Sequence, residues 1–248
     1  MDAYKLAELL RLNRFKEVRY APDQPRRNFK QLVQHYDEMT AQQARLKTKI
    51  KARLRMQGVI VTGERLFSAT GRKEVLVKVE SRDLRTAIKQ LYEVLDQSVA
   101  AQQQARLLML RAAQAFPEIK IFRTAPGVGP SGACRFSAYM HTPNRFSSTR
   151  KLWKYCRLSV SHRSSNGKPL RRPRLDYSGC GRLKDVSRKA FEAALRTRAD
   201  NGFKRTYQRA LETTHDKTHA RLTVQRKIVS TLRAMWLRRT PYCDKLTR

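Results

Sequence analysis

Between Phe29 and Met56 there is neither proline nor glycine, and Leu32, Tyr36, Met39, Leu46 and Ile50 recur at spacings of three, four or seven. That period puts them on one face of an α-helix. At 1.5 Å per residue the segment would span about 40 Å. A second stripe follows in Leu84, Ile88, Leu91, Leu95, Val99, Leu108 and Ala112, interrupted by the polar "AQQQA" at 101–105. A one-sided apolar stripe is marginal alone in water, so these two long helices need partners. Either they pack on each other as an antiparallel hairpin, or on a second chain as a coiled coil. The expected fold class is therefore mainly α: a long antiparallel helical hairpin, coiled-coil-like, over 28–118, followed by an α-helical domain over 119–248. Between the stripes, "GVIVTGERLFSATGRKEVLVKVE" at 58–80 alternates apolar residues in Val75, Val77 and Val79 and reads as a β-hairpin or a packed loop. Ahead of them, Leu6, Leu9 and Leu10 mark a short helix, and the two prolines of "APDQPRRN" at 21–28 break it.

Charge limits what such a chain does. It carries 54 Lys+Arg against 20 Asp+Glu, a net +34 over 248 residues. Solubility of a small domain needs a net charge of only roughly 2 to 8, and self-repulsion on this scale calls for a polyanion. Residues 1–100 hold 21 basic and 12 acidic side chains (net +9), leaving 33 and 8 (net +25) for residues 101–248. The second half is thus the expected nucleic-acid face. There is neither an apolar run of the roughly 18 residues a membrane span requires nor a secretory signal pattern, which points to a cytoplasmic protein with no membrane partner. Cys134, Cys156, Cys180 and Cys243 lie far apart without a CxxC pair, and His215 and His219 have no neighbouring ligand pattern, so no zinc site or disulfide scaffold is written here.

Within the basic half, "TAPGVGPSGACRFSAYM" at 124–140 reads as a Gly-x-Gly turn opening a helix near Ser131. Gly127 and Gly129 would let the backbone approach an anion, and the helix N-terminus would supply unpaired N–H groups and its dipole: a phosphate seat, or else a plain Pro-Gly turn. No sugar-specifying acid or Gly-Lys-Ser/Thr follows, so it is neither a dinucleotide site nor a P-loop. In "NRFSSTRKLWKYCRLSVSHRSSNGKPLRRPRL", Arg145, Arg150 and Lys151 interleave with Phe146, Trp153 and Tyr155, a mixture suited to phosphate neutralisation and stacking; Trp153 itself is read as core. "HRSSNGKPLRRPR" lacks an apolar period and reads as a loop in which Arg163, Lys168, Arg171 and Arg172 surround two hydroxyls.

Taken in order, "PGVGPSGACRF", "NRFSSTRKLWKYCRLSV", "SSNGKPLRR", "GRLKDVSRKAFEAAL" and "ARLTVQRKIVSTLRAMWLRRTPY" resemble the C-terminal domain of the IS-one-ten / IS-eleven-eleven insertion-sequence transposases. "DAYKLAELLRLNRFKEVRYAPDQPRRNFKQLV" is similar to the segment of that family in which an Asp-Ala pair opens a leucine-rich helix. The resemblance implies a helix-hairpin-helix element at the glycine turn, DNA transposition by site-specific recombination through a serine–DNA phosphoester, and choice of DNA by a structured guide RNA. It implies Ser165 as nucleophile, with Ser164 the alternative because "SSNG" aligns either way. It also implies a RuvC-like domain that gathers acids around Mg2+. Only Asp2 matches that acidic set, so 1–27 reads as a remnant of the RuvC-like domain and the metal site as incomplete. The expectation is a truncated transposase that binds DNA and is inactive alone, and that forms a homo-oligomer through its long helices. The alternatives are the distal subunit of a split serine recombinase completed in trans, or a non-catalytic basic nucleic-acid-binding protein.

Overall fold

The structure is a computed structural model that describes residues 3–14, 23–60, 62–161, 174–244 and, as backbone, 164–165 and 168–169. Helix α1 (Ala3–Arg11) presents Tyr4, Leu6, Leu9 and Leu10 on its surface and buries none of its residues. Helix α2 spans Gln24–Met56. It begins ahead of the sequence expectation because Pro25 sits in its first turn, where a missing N–H costs nothing, and Asp23 caps it by accepting from the Arg26 N–H at 3.1 Å. Helix α4 (Arg82–Ala112), capped by Ser81, packs antiparallel on α2, so the two long stripes partner each other within one chain.

The seam of α4 follows the expected stripe at Ile88, Leu91 and Leu95 and departs from it at Leu84, Val99 and Leu108. Ile88, Tyr92, Leu95, Ser98, Ala105 and Met109 are buried, whereas Leu84, Val99 and Leu108 remain 41–46% exposed. At about 100° per residue Val99 and Leu108 fall on opposite sides of α4, so these exposed apolar residues do not form one face. The segment between the long helices also departs from the strand reading. Val75 and Val77 belong to helix α3 (Ala69–Val77), which Ser68 caps and which packs beside a 3-10 turn at Arg65–Phe67. Val75 is buried, Val77 is 77% exposed and Val79 is buried just past the helix end; a strand would put all three on one face, whereas burial at 75 and 79 with 77 turned outward follows the four-residue helical spacing.

Two cores lie along this frame. At the hairpin tip, Ile50, Leu54, Val59, Leu66, Val75, Val79, Ile88, Tyr92 and Leu95 form a small cluster, with the Tyr92 hydroxyl donating to the Leu66 carbonyl at 3.1 Å. At its base, Phe29, Val33 and Tyr36 of α2 and Met109 of α4 join the main core. The rest of that core comes from α5 (Pro117–Phe122), α6 (Pro130–Met140), α7 (Thr149–Tyr155), α8 (Gly181–Arg196), α9 (Gly202–Thr214) and α10 (Lys217–Arg238). Phe29 meets Phe116 at 4.6 Å between ring centroids, and Phe122 packs edge-on against Phe136 and Trp236 at 5.1 and 5.4 Å. From Glu38 to Lys49, α2 buries no residue, and the helices meet there through small and polar side chains such as Thr40 and Gln102, 3.4 Å apart.

Two buried ionic clusters fix the hairpin base on α5 and α6. Glu118 accepts from Arg26 Nη1 at 2.9 Å and from the Ser137 hydroxyl at 2.6 Å. Asp37, 2% exposed, accepts from Arg135 Nε at 2.6 Å and from the Tyr139 hydroxyl at 3.1 Å, with Arg182 Nε of α8 at 3.5 Å. Burial and the adjacent Asp37 charge push the Tyr139 hydroxyl well above the usual phenol range, so it stays a donor.

Candidate nucleic-acid interface

Helix α5 ends in a tight turn, tied by Ala125 N–H to Phe122 O and Val128 N–H to Ala125 O, both at 3.1 Å, and the turn opens into α6 at Pro130. The sequence treats Gly127 and Gly129 as one pair; the structure separates them. Gly127 has φ +78°, and a Cβ there would lie 2.1 Å from the Ala190 carbonyl oxygen and 2.7 Å from the Ala194 nitrogen. It is glycine because α8 presses on the turn. Gly129 caps α6 with φ −78° and ψ 171°, and a Cβ there would meet nothing within 4 Å. Both glycines border an opening, and only Gly129 leaves room there for a side chain.

That opening is a cleft of about 260 Å³ between the turn and α8, bordered by Gly129, Ser131 and Gly132 and by the cations Arg135 and Lys189. Pro130 has no N–H, and the N–H groups of the next residues in a first helical turn lack partners inside the helix. They point with the positive end of the helix dipole toward any anion in the cleft. Lys189, half-exposed, holds Asp185 at 2.8 Å, and the Lys189 and Arg188 charges keep the Asp185 carboxyl below its usual range despite its burial. Arg135 is anchored from behind by Asp37. The sequence analysis missed Arg135, Lys189, Asp37 and Arg182. A signal existed for one of them: Arg135 is the lone charge in "GACRFSAYM", and a cation in an otherwise buried helix implies a carboxylate elsewhere.

The other expected cations form a second group around α7. Arg150 and Lys151 are exposed on it, with Lys151 Nζ donating to the Ser147 hydroxyl at 2.8 Å. Arg145 is turned inward: its guanidinium lies 4.4 Å from the Tyr155 ring centroid and donates to the Tyr139 carbonyl and the Tyr155 hydroxyl, each at 3.2 Å. Trp153 packs on the main core, and its Nε1 donates to the Ser230 hydroxyl at 2.9 Å.

The serine segment is a β-hairpin rather than an open loop. Strand β1 (Val160–Ser161) pairs antiparallel with β4 (Arg174–Leu175), and β2 (Ser164–Ser165) with β3 (Lys168–Pro169), in the register Ser164↔Pro169 and Ser165↔Lys168. The sequence signal was the Asn-Gly pair between Ser165 and Lys168, the pattern of a two-residue hairpin connection. Arg163, Arg171 and Arg172 lie outside the described residues, as does Asp2.

The Mg2+ that the family resemblance implies does not fit the described residues, among which no three His, Cys, Asp or Glu side chains are grouped to hold a metal ion. A hard divalent cation takes oxygen ligands from unengaged carboxylates. Asp37, Glu118 and Asp185 are each engaged by Arg or Lys. No helix among the described residues is long and apolar enough to cross a membrane.

A glycine turn feeding a helix N-terminus, flanked by cationic helices and a serine-bearing hairpin, defines a class: basic, mainly helical domains with a cationic cleft. Residues 119–208 match the family model of the Transposase IS116/IS110/IS902 family. DNA transposition is the activity that this family implies. The matched span takes in the turn, α6, α7, the serine hairpin, α8 and the first part of α9. A comparison with curated proteins gives no match.

Proposed function

We propose that this chain is the DNA-binding part of an insertion-sequence transposase, that it works in the cytoplasm, and that it does not cut DNA by itself. The observation that carries this reading is the cleft between Gly129 and Lys189, an anion seat inside the matched transposase domain. Ser165 is the nucleophile, with Ser164 as the alternative; the family match and the pairing of Ser165 with the cationic Lys168 support it. The serine Oγ forms a bond to phosphorus, the phosphodiester bond to a deoxyribose oxygen breaks, and the leaving hydroxyl takes up a proton. A serine hydroxyl needs activation for this step, and the acidic groups for it come from a domain other than the described residues. A structured RNA of the element selects the DNA, and the long helices join two copies as a dimer.

DNA binding tests the reading. Affinity for a duplex should fall steeply between low and moderate salt, with a log–log slope of about −0.9 per phosphate neutralised, and Lys189→Gln should lower that slope by about one. Binding indifferent to salt would remove the proposal. For chemistry, the chain with magnesium and DNA should form no serine–DNA adduct. Supplied with an acidic RuvC-like domain, it should form one that disappears in Ser165→Ala; an adduct lost in Ser164→Ala instead would move the nucleophile by one residue. A monomeric mass by light scattering at micromolar concentration would count against the dimer alone.

A further inference from the structure

The net charge of +9 in the first hundred residues conceals a local concentration. No acidic residue lies between Glu38 and Glu64, while Arg45, Lys47, Lys49, Lys51, Arg53 and Arg55 all fall on the distal half of α2. The structure divides these six. Lys47 and Lys51 approach Glu64 at 2.5 and 3.9 Å and lie 4.8 and 5.3 Å from the centroid of the Phe67 ring, so they fasten the tip to the helix. Arg45, Lys49 and Arg53 are exposed, make no ion pair among the described residues, and recur every fourth residue along one face. Each step is about 6 Å along the helix, comparable to the separation of neighbouring phosphates in a nucleic-acid strand.

An apolar bed runs beside this row. Lys49, Arg53 and Met56 of α2 and Leu84, Ile88 and Leu91 of α4 border a groove of about 530 Å³, with Met56 72% exposed. No acid lines it. Arg53 lies sixteen residues beyond Asp37, the point at which α2 is clamped to α6 and α8, or about 24 Å along the helix. At about 3.4 Å per base pair this corresponds to roughly seven base pairs.

We propose that the distal half of the hairpin is a second nucleic-acid contact, in which Arg45, Lys49 and Arg53 take successive phosphates of one strand and its sugars and bases lie against the Met56–Leu84–Leu91 bed. This rests on the reading of the protein as a nucleic-acid binder but uses no residue of the matched transposase domain. An acidic helix of a protein partner offers apolar and acidic residues to such a groove as well; the even spacing of the cations and the absence of any acid over this stretch favour a ligand of regular charge.

The test uses the full chain and the triple variant Arg45→Gln/Lys49→Gln/Arg53→Gln, with Lys189→Gln as a separate variant. Single-stranded DNA of 40 nucleotides, the same sequence as RNA, and a 4-nucleotide fragment too short to bridge about 24 Å are titrated between 50 and 200 mM salt. The triple variant should lower the salt slope for the 40-nucleotide strands by about 2, three phosphates at about 0.7 each, and should change the 4-nucleotide fragment, which can use the cleft by Lys189 alone, far less. Lys189→Gln should weaken both lengths. Whichever of DNA and RNA loses more affinity in the triple variant identifies the strand the hairpin holds. An unchanged slope for both 40-nucleotide strands in a triple variant of intact helicity overturns the proposal. So does equal loss for long and short strands, or binding of an acidic amphipathic peptide that alone is lost in the variant. Should the triple variant fail to fold, Lys49→Gln alone should remove about a third of the effect. A wild-type chain that binds no nucleic acid removes the proposed function itself, which separates the two failures.

Discussion

At the residue scale, the two glycines of the turn give the sharpest contrast. Gly127→Ala drives a Cβ into the α8 backbone at a positive φ, and the overlap and the left-handed backbone together should cost about 3 kcal/mol or more. Gly129→Ala meets open space and only replaces a favoured N-cap residue by a poorer one, at a cost of about 1 kcal/mol or less. Urea unfolding of both variants measures the difference; equal losses would mean that α8 does not rest on the turn. His141 supplies a second test. Burial pushes its imidazole down to about 3, and the nearby Lys30, Arg145 and Arg26 charges act in the same direction. An unfolded His binds its proton near pH 6.5, so between about pH 6.5 and 3 the unfolded state holds more protons than the folded one. Stability should therefore be full above pH 6.5 and fall as the pH drops through this window. His141→Gln should flatten that part of the urea-derived stability profile, and an unaltered slope would show that His141 titrates normally.

At the element scale, the clamps matter more than the stripes. Removing the Asp37 charge leaves Arg135 buried and unpaired, so Asp37→Asn should destabilise the fold by about 3 to 5 kcal/mol. The exposed neighbour change Glu38→Gln should stay within about 0.5 kcal/mol. Thermal or urea unfolding checks both, and a mild Asp37→Asn would mean that packing of Phe29, Val33 and Tyr36 alone seats the hairpin. Such clamps are illegible in the sequence because Asp37 and Arg135 stand 98 positions apart and nothing local ties one to the other. The long helices are legible because a 3.6-residue period over some thirty positions has no other solution. Helix α3 is not: with Val75, Val77 and Val79 alternating, a short apolar run carries both periods, and the Ser68 cap decides between them. Half of the cleft is legible too, in the glycines and the helix start; Lys189 comes from a different helix and reaches the cleft only through the tertiary fold.

At the scale of the whole molecule, charge and apolar surface follow different plans. The net charge favours the second half, as composition indicates, yet the longest acid-free cationic stretch of α2 lies at the far tip of the hairpin. Counting charges by halves could not find it, because position along a 33-residue helix, about 50 Å long, separates the tip from its own base. The tip and base cores, in turn, are joined by helices that bury nothing of α2 for three turns. Cooperative melting depends on shared buried contacts, and this stretch offers few. The tip should therefore behave as its own foldon: amides of α3 and of the adjoining ends of α2 and α4 should exchange with deuterium through a sub-global opening while those of α6 and α10 exchange only on global unfolding. In a urea series, the tip amides should lose protection with a smaller denaturant dependence than the base amides, and a single common dependence would show that the two cores rise and fall as one. The hairpin would then be a lever whose far end can re-form against a ligand without disturbing the transposase domain at its fulcrum.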